Sequence, residues 1–253
     1  AVMGAKRLKA IAARGKKAVP AAVKPLLARH MVRLTQGKEL ASMREGGTPQ
    51  IVDLTNATGT LPTRNWTAGS FAGAEEINLD AILANSLGKV ACDLCGVACG
   101  FNVKPQRGPY AGVETGWGPE YETIGMVGAN ACIDDLSTVA KIATLCDGLG
   151  MDSISTGSCL SFAMECAEAG LIDDPIRFGD RKRAVELVTD IAHRRGLGEL
   201  LAGGTRRAAR RLGAPEALEA AVEVKGLELP AYDPRGAHSM ALASATGDRG
   251  ACH

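Results

Sequence analysis

Three cysteines stand close together in the sequence CDLCGVAC, which occupies residues 92 to 99. Cys92, Cys95 and Cys99 are three and four positions apart, so one loop or helical turn can direct all three thiols to a single point. Thiolates are soft ligands that select zinc, Cu(I) or iron–sulfur clusters. The spacing therefore predicts a metal site.

The kind of metal site is left open by the triplet itself. A structural zinc site usually takes a second cysteine pair within about 20 residues, whereas the next cysteine here, Cys132, stands alone. A [4Fe–4S] cluster is commonly held by a triplet and one remote cysteine, so we favour a cluster over zinc and over thiols without a ligand. The later cysteines lie among apolar residues, where a thiol acts as a small hydrophobe. We therefore expect the fourth ligand outside this sequence.

Two pairs of carboxylates also lie at positions where they could do chemistry. Glu120 and Glu122 follow Pro119 in the stretch GPEYE; they are either solvated or, if desolvated, able to act as a general base. Asp147 and Asp152 flank Gly150 between two predicted helices. Helix capping is the favoured role of Asp152, and the alternative is a turn whose carboxylates accept hydrogen bonds from a bound heterocycle.

Composition narrows the class of protein. The 253 residues carry a net charge of +1 and 46% hydrophobic residues, which is ordinary for a globular chain. Residues 1–45 contain eleven Lys and Arg against two Glu, which we interpret as a solvated basic surface rather than as a site for nucleic acid or an acidic partner. Neither a membrane-spanning stretch nor a signal peptide is visible, so we expect a cytoplasmic protein that does not contact membranes.

The elements that must position these residues are mainly helical, with little β-structure. Apolar periodicity, caps and glycine stops predict helices at 21–44, 78–87, 135–149, 158–169, 180–196 and 197–213. Residues 8–14 and 221–234 look extended, and 46–71 and 100–123 look like loops. A dinucleotide-binding fold is disfavoured because no βαβ alternation carries a glycine fingerprint.

The order of motifs along the chain resembles the tungsten-dependent aldehyde:ferredoxin oxidoreductase family. The resemblance rests on AVMGAKRLKAIAARG, LPTRNW, CDLCGVACG, GPYAGVETGWGPEYE, CDGLGMDSIS and ELPAYDPRGAHSMALASATGDRGACH. It implies a tungsten bis-pterin cofactor, with molybdenum as the alternative metal, and one [4Fe–4S] cluster. It also implies a division into the end of an N-terminal β domain (1–15), a helical second domain (16–218) and the start of a third domain (219–253).

The resemblance assigns roles residue by residue. The cluster triplet matches Cys92, Cys95 and Cys99. The family's D-x-x-G-L-D/C pterin-binding pattern matches Asp147, Gly150, Met151 and Asp152, with Met151 in place of leucine. The residues placed beside the metal match Glu122, which would be the general base, and His253, which would donate a hydrogen bond to the reacting oxygen.

The implied reaction is oxidation of an aldehyde to a carboxylic acid, with electrons passing through the cluster to a ferredoxin-like carrier. Two departures from the family's pattern limit which of its properties the resemblance implies for this sequence. The segment with the family's fourth cluster cysteine lies beyond this sequence, so we expect a fragment. The E-x-x-H pair that holds a bridging iron between subunits is replaced by Lys141 and Thr144, which removes that support for a homodimer. The alternatives are a relative acting on another substrate, such as an aromatic thioester reductase or an enzyme of sugar phosphates, and a non-catalytic zinc- or cluster-binding helical scaffold.

Overall fold

The computed structural model describes residues 2–17, 20–93 and 95–252, and helices dominate this part of the chain. The α-helices are α1 (Val2–Ala5), α2 (Lys24–Gln36), α3 (Ala41–Gly46), α4 (Ile51–Ala57), α5 (Leu79–Ala84), α6 (Tyr121–Thr123), α7 (Leu136–Leu149), α8 (Ser153–Glu168), α9 (Arg181–His193), α10 (Leu197–Leu201), α11 (Thr205–Leu212), α12 (Pro215–Ala220) and α13 (His238–Thr246). Short 3-10 turns lie at Lys38–Leu40, Thr48–Gln50 and Ala74–Glu76, and a π-helical turn at Ile124–Ala129 continues α6.

The β-structure consists of two small antiparallel pairs among the described residues. Strand β1 (Ser86–Val90) pairs with β2 (Gly100–Val103), with Val90 opposite Gly100. Strand β3 (Glu223–Val224) pairs with β4 (Leu227–Glu228). The predicted fold class, mainly α with little β, is confirmed.

The core is built around α8, which packs against α7, α9 and the π-helical turn. Gly157 allows α8 to lie close to the π-helical turn, because a Cβ at this position would lie 2.5 Å from the backbone carbon of Met126. Leu160, Phe162 and Met164 of α8 are fully buried. The helical turn that carries Glu122 is thus held directly against the central helix of the core.

Both central helices begin and end at local signals. Helix α7 is capped by Asp135, the first residue of the predicted helix 135–149, because the Asp135 carboxylate accepts from the amide of Thr138 at 2.7 Å. It ends at Gly150, whose φ of 70° suits a residue without a side chain. Helix α8 begins five residues earlier than predicted, directly after Asp152.

Several other predictions need correction. Residues 8–14, expected as a strand, have no regular secondary structure, and the helix predicted at 21–44 is interrupted at Gly37. The helix predicted at 197–213 is two helices, α10 and α11, separated at 202–204.

The predicted loops also contain regular structure. Within 46–71 lies α4, and within 100–123 lie strand β2 and helix α6. Within the part of the chain that the structure describes, no helix combines the length and apolar character needed to cross a bilayer.

Candidate functional site

The three cysteines lie between β1 and β2, in the described residues 91–93 and 95–99, which we call the cysteine loop. The amide of Cys95 donates to the carbonyl of Cys92 at 2.9 Å, which forms a tight turn between the first two. The side chains of Cys92 and Cys95 are exposed, and that of Cys99 is half-buried. The hairpin was not predicted, and it carries the three cysteines between its two strands.

The thiols influence one another, although they are not closed around a common point. Burial raises the pKa of Cys99, and the carboxylate of Glu120 and the thiols of Cys95 and Cys92 raise it further. Among the described residues, no group of three or more His, Cys, Asp or Glu side chains is gathered as a metal-binding group. The donor type fits a soft metal or an iron–sulfur cluster, and the ligand role of the triplet stays a prediction.

Glu120 links the cysteine loop to the helical half of the chain. Its carboxylate accepts hydrogen bonds from the indole N–H of Trp117, at 3.1 Å, and from the hydroxyl of Thr48. The Trp117 ring lies against Gly100, where a Cβ would come within 3.0 Å of it. A chain of contacts therefore runs from Gly100, at the end of the cysteine loop, through Trp117 to Glu120.

A small cavity of ≈ 110 Å³ lies beside this connection. Its lining includes Glu120, Thr123, Asp147 and Ser153, which come from three different elements. The Asp147 side chain is exposed at the end of α7. The cavity thus brings one carboxylate of the predicted pterin-binding pattern next to Glu120, a residue that the pattern does not include.

The other members of that pattern form the turn between α7 and α8. Gly150 ends α7 and donates to the carbonyl of Asp147 at 3.3 Å, while Met151 packs against the core and donates to the carbonyl of Cys146 at 2.8 Å. Asp152 caps α8 by accepting from the amide of Ser155 at 2.7 Å. The capping interpretation of Asp152 is confirmed, and a carboxylate has further lone pairs for a ligand.

Glu122 is half-buried, and the pKa of its carboxyl group lies near neutrality. Desolvation raises its pKa from 4.5 to about 7; the amide of Ala231 opposes this shift, and the carboxylate of Asp152 adds to it. One carboxylate oxygen, Oε2, accepts from the Ala231 amide at 2.7 Å. Glu122 therefore lies within electrostatic reach of the α7–α8 turn, and its protonation state can change in the neutral range.

The segment around Ala231 is clamped from both sides. While its amide binds Glu122, its carbonyl accepts from the hydroxyl of Tyr121, which also lies 3.2 Å from the hydroxyl of Thr55. Gly125 makes room for this segment, because a Cβ there would lie 2.5 Å from the Ala231 side chain. No local pattern marks Ala231, so sequence reasoning could not identify it as the partner of Glu122.

A second hydroxyl pair ties the Glu122 turn to α8. The hydroxyls of Thr123 and Ser153 lie 2.7 Å apart, at the edge of the cavity. Thr123 directly follows Glu122 and Ser153 directly follows Asp152 in the sequence. This adjacency to a predicted site residue is the signal that could have identified them. His253, the other predicted catalytic residue, lies outside the described residues.

The remaining cysteines of the helical half are core residues. Cys146, Cys159 and Cys166 are buried. Burial raises the pKa of Cys146 to about 11 and that of Cys166 to about 12. Thiols of this kind are poor ligands because the thiolate form is disfavoured.

Comparison with known proteins agrees with the motif order. The family model described as "Aldehyde ferredoxin oxidoreductase, domains 2 & 3" matches residues 26–253. The tungsten-containing aldehyde ferredoxin oxidoreductase of Thermococcus kodakarensis is 40% identical over 266 aligned residues, covering 100% of this chain and 43% of that protein. The WOR-like subunit of an aliphatic sulfonate oxidoreductase of Pyrococcus furiosus is 31% identical, covering 93% of this chain and 39% of the relative.

A solved structure shares the fold at low identity. The active site complex BamBC of benzoyl coenzyme A reductase, with 1,5-dienoyl-CoA, aligns with a TM-score of 0.62 at 18% identity, over 89% of this chain and 37% of the solved one. The chain spans less than half the length of the relatives it matches. From the family model and the 40% identity over the whole chain, we conclude that this chain belongs to the aldehyde ferredoxin oxidoreductase family.

Proposed function

We propose that this chain is the part of a tungsten oxidoreductase that provides a proton-accepting carboxylate, two pterin-binding carboxylates and three cluster ligands. The whole enzyme would oxidise an aldehyde to a carboxylic acid and pass electrons to a ferredoxin-like acceptor. The observation that carries the proposal is Glu122, a desolvated carboxyl group with a pKa of about 7 that lies near Asp152 of the pterin-binding pattern. The relatives' names support tungsten and redox chemistry.

The division of the chain is part of the proposal. Residues 1–15 would end an N-terminal β domain, 16–218 would form the helical second domain, and 219–253 would open the third. The clamp on Ala231 would then join the third domain to the Glu122 turn of the second.

The residues fit the cofactors by the chemistry of their donors. When bound, a tungsten bis-pterin, or its molybdenum counterpart, supplies two-electron redox chemistry, and a [4Fe–4S] cluster supplies one-electron steps. Asp147 and Asp152 would accept hydrogen bonds from pterin N–H groups, as full negative charges do more strongly than neutral acceptors. Cys92, Cys95 and Cys99 would hold three irons as thiolates.

Glu122 would handle the proton in this reaction. Because its pKa of about 7 lies at working pH, the carboxylate can take a proton from water or substrate and release it again. The Ala231 amide fixes one oxygen of that carboxylate. His253 would donate a hydrogen bond to the reacting oxygen of the substrate.

The test is metal analysis combined with a Glu122→Gln variant of the intact enzyme. We expect tungsten or molybdenum with about four irons per polypeptide, unchanged in the variant, and turnover lowered by a factor of about 100 or more, the range typical of a lost general base. Glu75→Gln, at an exposed carboxylate, is the matched control. Full turnover in Glu122→Gln would exclude the base role, and zinc without iron would favour the non-catalytic scaffold.

A second candidate is another reaction on the same framework. The WOR-like sulfonate relative and the benzoyl coenzyme A reductase structure belong to proteins named for other substrates. Steady-state kinetics with an aliphatic aldehyde, an aromatic thioester and a sulfonate would discriminate these reactions. Turnover with the thioester or sulfonate alone would replace the aldehyde assignment while keeping the family.

A further inference from the structure

The Glu120 carboxylate is held at both of its oxygens. The indole N–H of Trp117 donates to Oε1 at 3.1 Å, and the hydroxyl of Thr48 donates to Oε2. The Thr48 hydroxyl in turn accepts from the amide of Tyr121 at 3.0 Å, which ties it to the start of α6. Because each oxygen has its own donor, a rotation of the carboxylate would lose both hydrogen bonds. The negative charge of Glu120 is therefore fixed in place.

The contacts that hold this carboxylate also reach the last cysteine of the triplet. The Cε2 atom of Trp117, which is bonded to the donor nitrogen, would lie 3.0 Å from a Cβ at Gly100. Gly47, which directly precedes the second donor in the sequence, lies so close to Cys99 that a Cβ would come 2.0 Å from the Cys99 carbonyl oxygen. The Glu120 carboxylate is thus tied to the end of the cysteine loop from two sides, by contacts within the chain itself.

A cation lies on the other strand of the same hairpin. Lys89 of β1 is opposite Phe101 of β2, and its ammonium group lies 4.1 Å from the centre of the Phe101 ring. That ring also lies against Gly47, since a Cβ there would be 3.1 Å from it. Burial lowers the pKa of Lys89, whereas the charges of Cys99 and Glu120 raise it. The Lys89 ammonium is therefore within electrostatic reach of both groups.

Fixed charges beside a cluster ligand change how easily the cluster accepts an electron. The potentials of iron–sulfur clusters depend on the net charge and on the hydrogen bonds around their sulfur ligands. Reduction adds a negative charge, so a neighbouring carboxylate disfavours it and a neighbouring ammonium group favours it. The Glu120 carboxylate opposes negative charge on the Cys99 thiol in the same way, because it adds to the rise in pKa that burial produces.

We propose that Glu120 and Lys89 are positioning residues of opposite sign, which lower and raise the reduction potential of an iron–sulfur cluster held by the cysteine triplet. The inference rests on the proposed function and adds to it the groups that adjust the electron affinity of the cluster. Neither residue is a ligand in the proposed site, and neither belongs to the pterin-binding pattern. A purely structural role of Glu120 predicts no change in potential when its charge is removed and its hydrogen-bonding capacity is kept.

The test measures the reduction potential of the cluster by EPR-monitored redox titration of the intact, cofactor-loaded enzyme. Glu120→Gln removes the charge, while its amide oxygen can accept from Trp117 and its amide nitrogen can donate to the Thr48 hydroxyl. Lys89→Gln removes the cation. Glu75→Gln is the matched control, because it removes an equal charge from a 3-10 turn that packs against α4 and α5. Iron analysis of each protein measures how much cluster is present.

We expect Glu120→Gln to raise the potential by the equivalent of about a tenfold change in the one-electron reduction constant, which is ~59 mV. Lys89→Gln should lower the potential, and Glu75→Gln should leave it unchanged. An unchanged potential in Glu120→Gln would overturn the proposal, as would an equal rise in Glu75→Gln. A rise in Lys89→Gln would also overturn it, because the potential would then respond to any change near the loop irrespective of charge.

Two further outcomes are separated by the iron analysis. If Glu120→Gln binds less iron, the sign of the shift in Lys89→Gln decides: a lower potential supports the proposal, and an unchanged or higher one contradicts it. A wild-type enzyme without the EPR signal of a reduced four-iron cluster would refute the proposed function together with this inference. A normal wild-type signal whose potential does not respond to either charge would refute the inference alone.

Discussion

At the scale of single residues, the main feature is a carboxylate whose surroundings oppose its ionisation. Glu122 is desolvated by the core and lies near the negative charge of Asp152, and the backbone amide of Ala231 partly compensates. In the unfolded chain the Glu122 side chain is exposed to water, and its carboxyl group has an ordinary pKa. The folded state therefore binds a proton that the unfolded state has already lost over part of the pH range.

The first prediction concerns the pH dependence of stability. With a pKa of about 7 in the folded state and 4.5 in the unfolded state, Glu122 costs no stability below pH 4.5. The cost grows as pH rises toward 7 and is complete above it. The shift corresponds to a loss on the order of 3 kcal/mol. Glu122→Gln should remove this loss, which urea unfolding between pH 5 and 8 would measure.

The exposed carboxylate of Glu75 provides the control for this titration. Glu75→Gln should leave the slope of stability against pH close to that of the wild type. If Glu122→Gln also kept the wild-type slope, the raised pKa of Glu122 in the folded state would be wrong.

At the scale of elements, the turn between α7 and α8 combines a structural role with the proposed ligand-binding role. Gly150 ends one helix in a left-handed conformation, and Asp152 begins the next by accepting from the Ser155 amide. The last turn of α7 presents Asp147 to the cavity beside Glu120. The end of one helix and the start of the next therefore place the carboxylates of Asp147 and Asp152 at the surface.

The second prediction separates the two roles of Asp152. Asp152→Asn keeps an acceptor oxygen and should change the stability by only a few tenths of a kcal/mol, whereas Asp152→Ala should lose about 1 kcal/mol. Thermal or urea unfolding of the three proteins would measure this. In the intact enzyme, both variants should retain less pterin, because both lose the charge that would bind its N–H groups. Equal stability losses for Asn and Ala would contradict the capping account.

At the scale of the whole molecule, the site depends on a contact between segments 110 residues apart. The Tyr121 hydroxyl binds the Ala231 carbonyl, and the Ala231 amide binds Glu122. The Tyr232 ring packs against the Tyr121 ring at an interplanar angle of 48°, with ring centroids 5.0 Å apart. The segment 229–233 thus positions the Glu122 carboxylate, and the Tyr121 turn in turn holds the segment.

The third prediction tests this long-range clamp. Tyr121→Phe removes the donor to a buried carbonyl and should lower stability by about 1–3 kcal/mol. It should also speed amide exchange in residues 229–233, measured by hydrogen–deuterium exchange with mass spectrometry. Thr55→Val, which removes the neighbouring hydroxyl but leaves the Ala231 bond, is the control and should leave that exchange unchanged. Unaltered exchange in Tyr121→Phe would show that the segment is held by other contacts.

Features encoded within a few neighbouring residues were predictable from the sequence. The cysteine triplet, the Asp152 cap and the glycine that ends α7 depend on spacing, on a side chain that can accept from nearby amides, and on freedom at positive φ. The family followed because several such motifs occur in a fixed order. The mainly helical class followed from apolar periodicity.

Tertiary structure alone decided how those features meet. The hairpin around the cysteines was missed because SLGKV has a glycine in the strand and no clear alternation. The link from Cys99 to Glu120, and the bond from Ala231 to Glu122, join segments that no local pattern connects. The physical reason is that desolvation, which sets the pKa of Glu122, is produced by residues from distant parts of the chain that become neighbours only when the core packs.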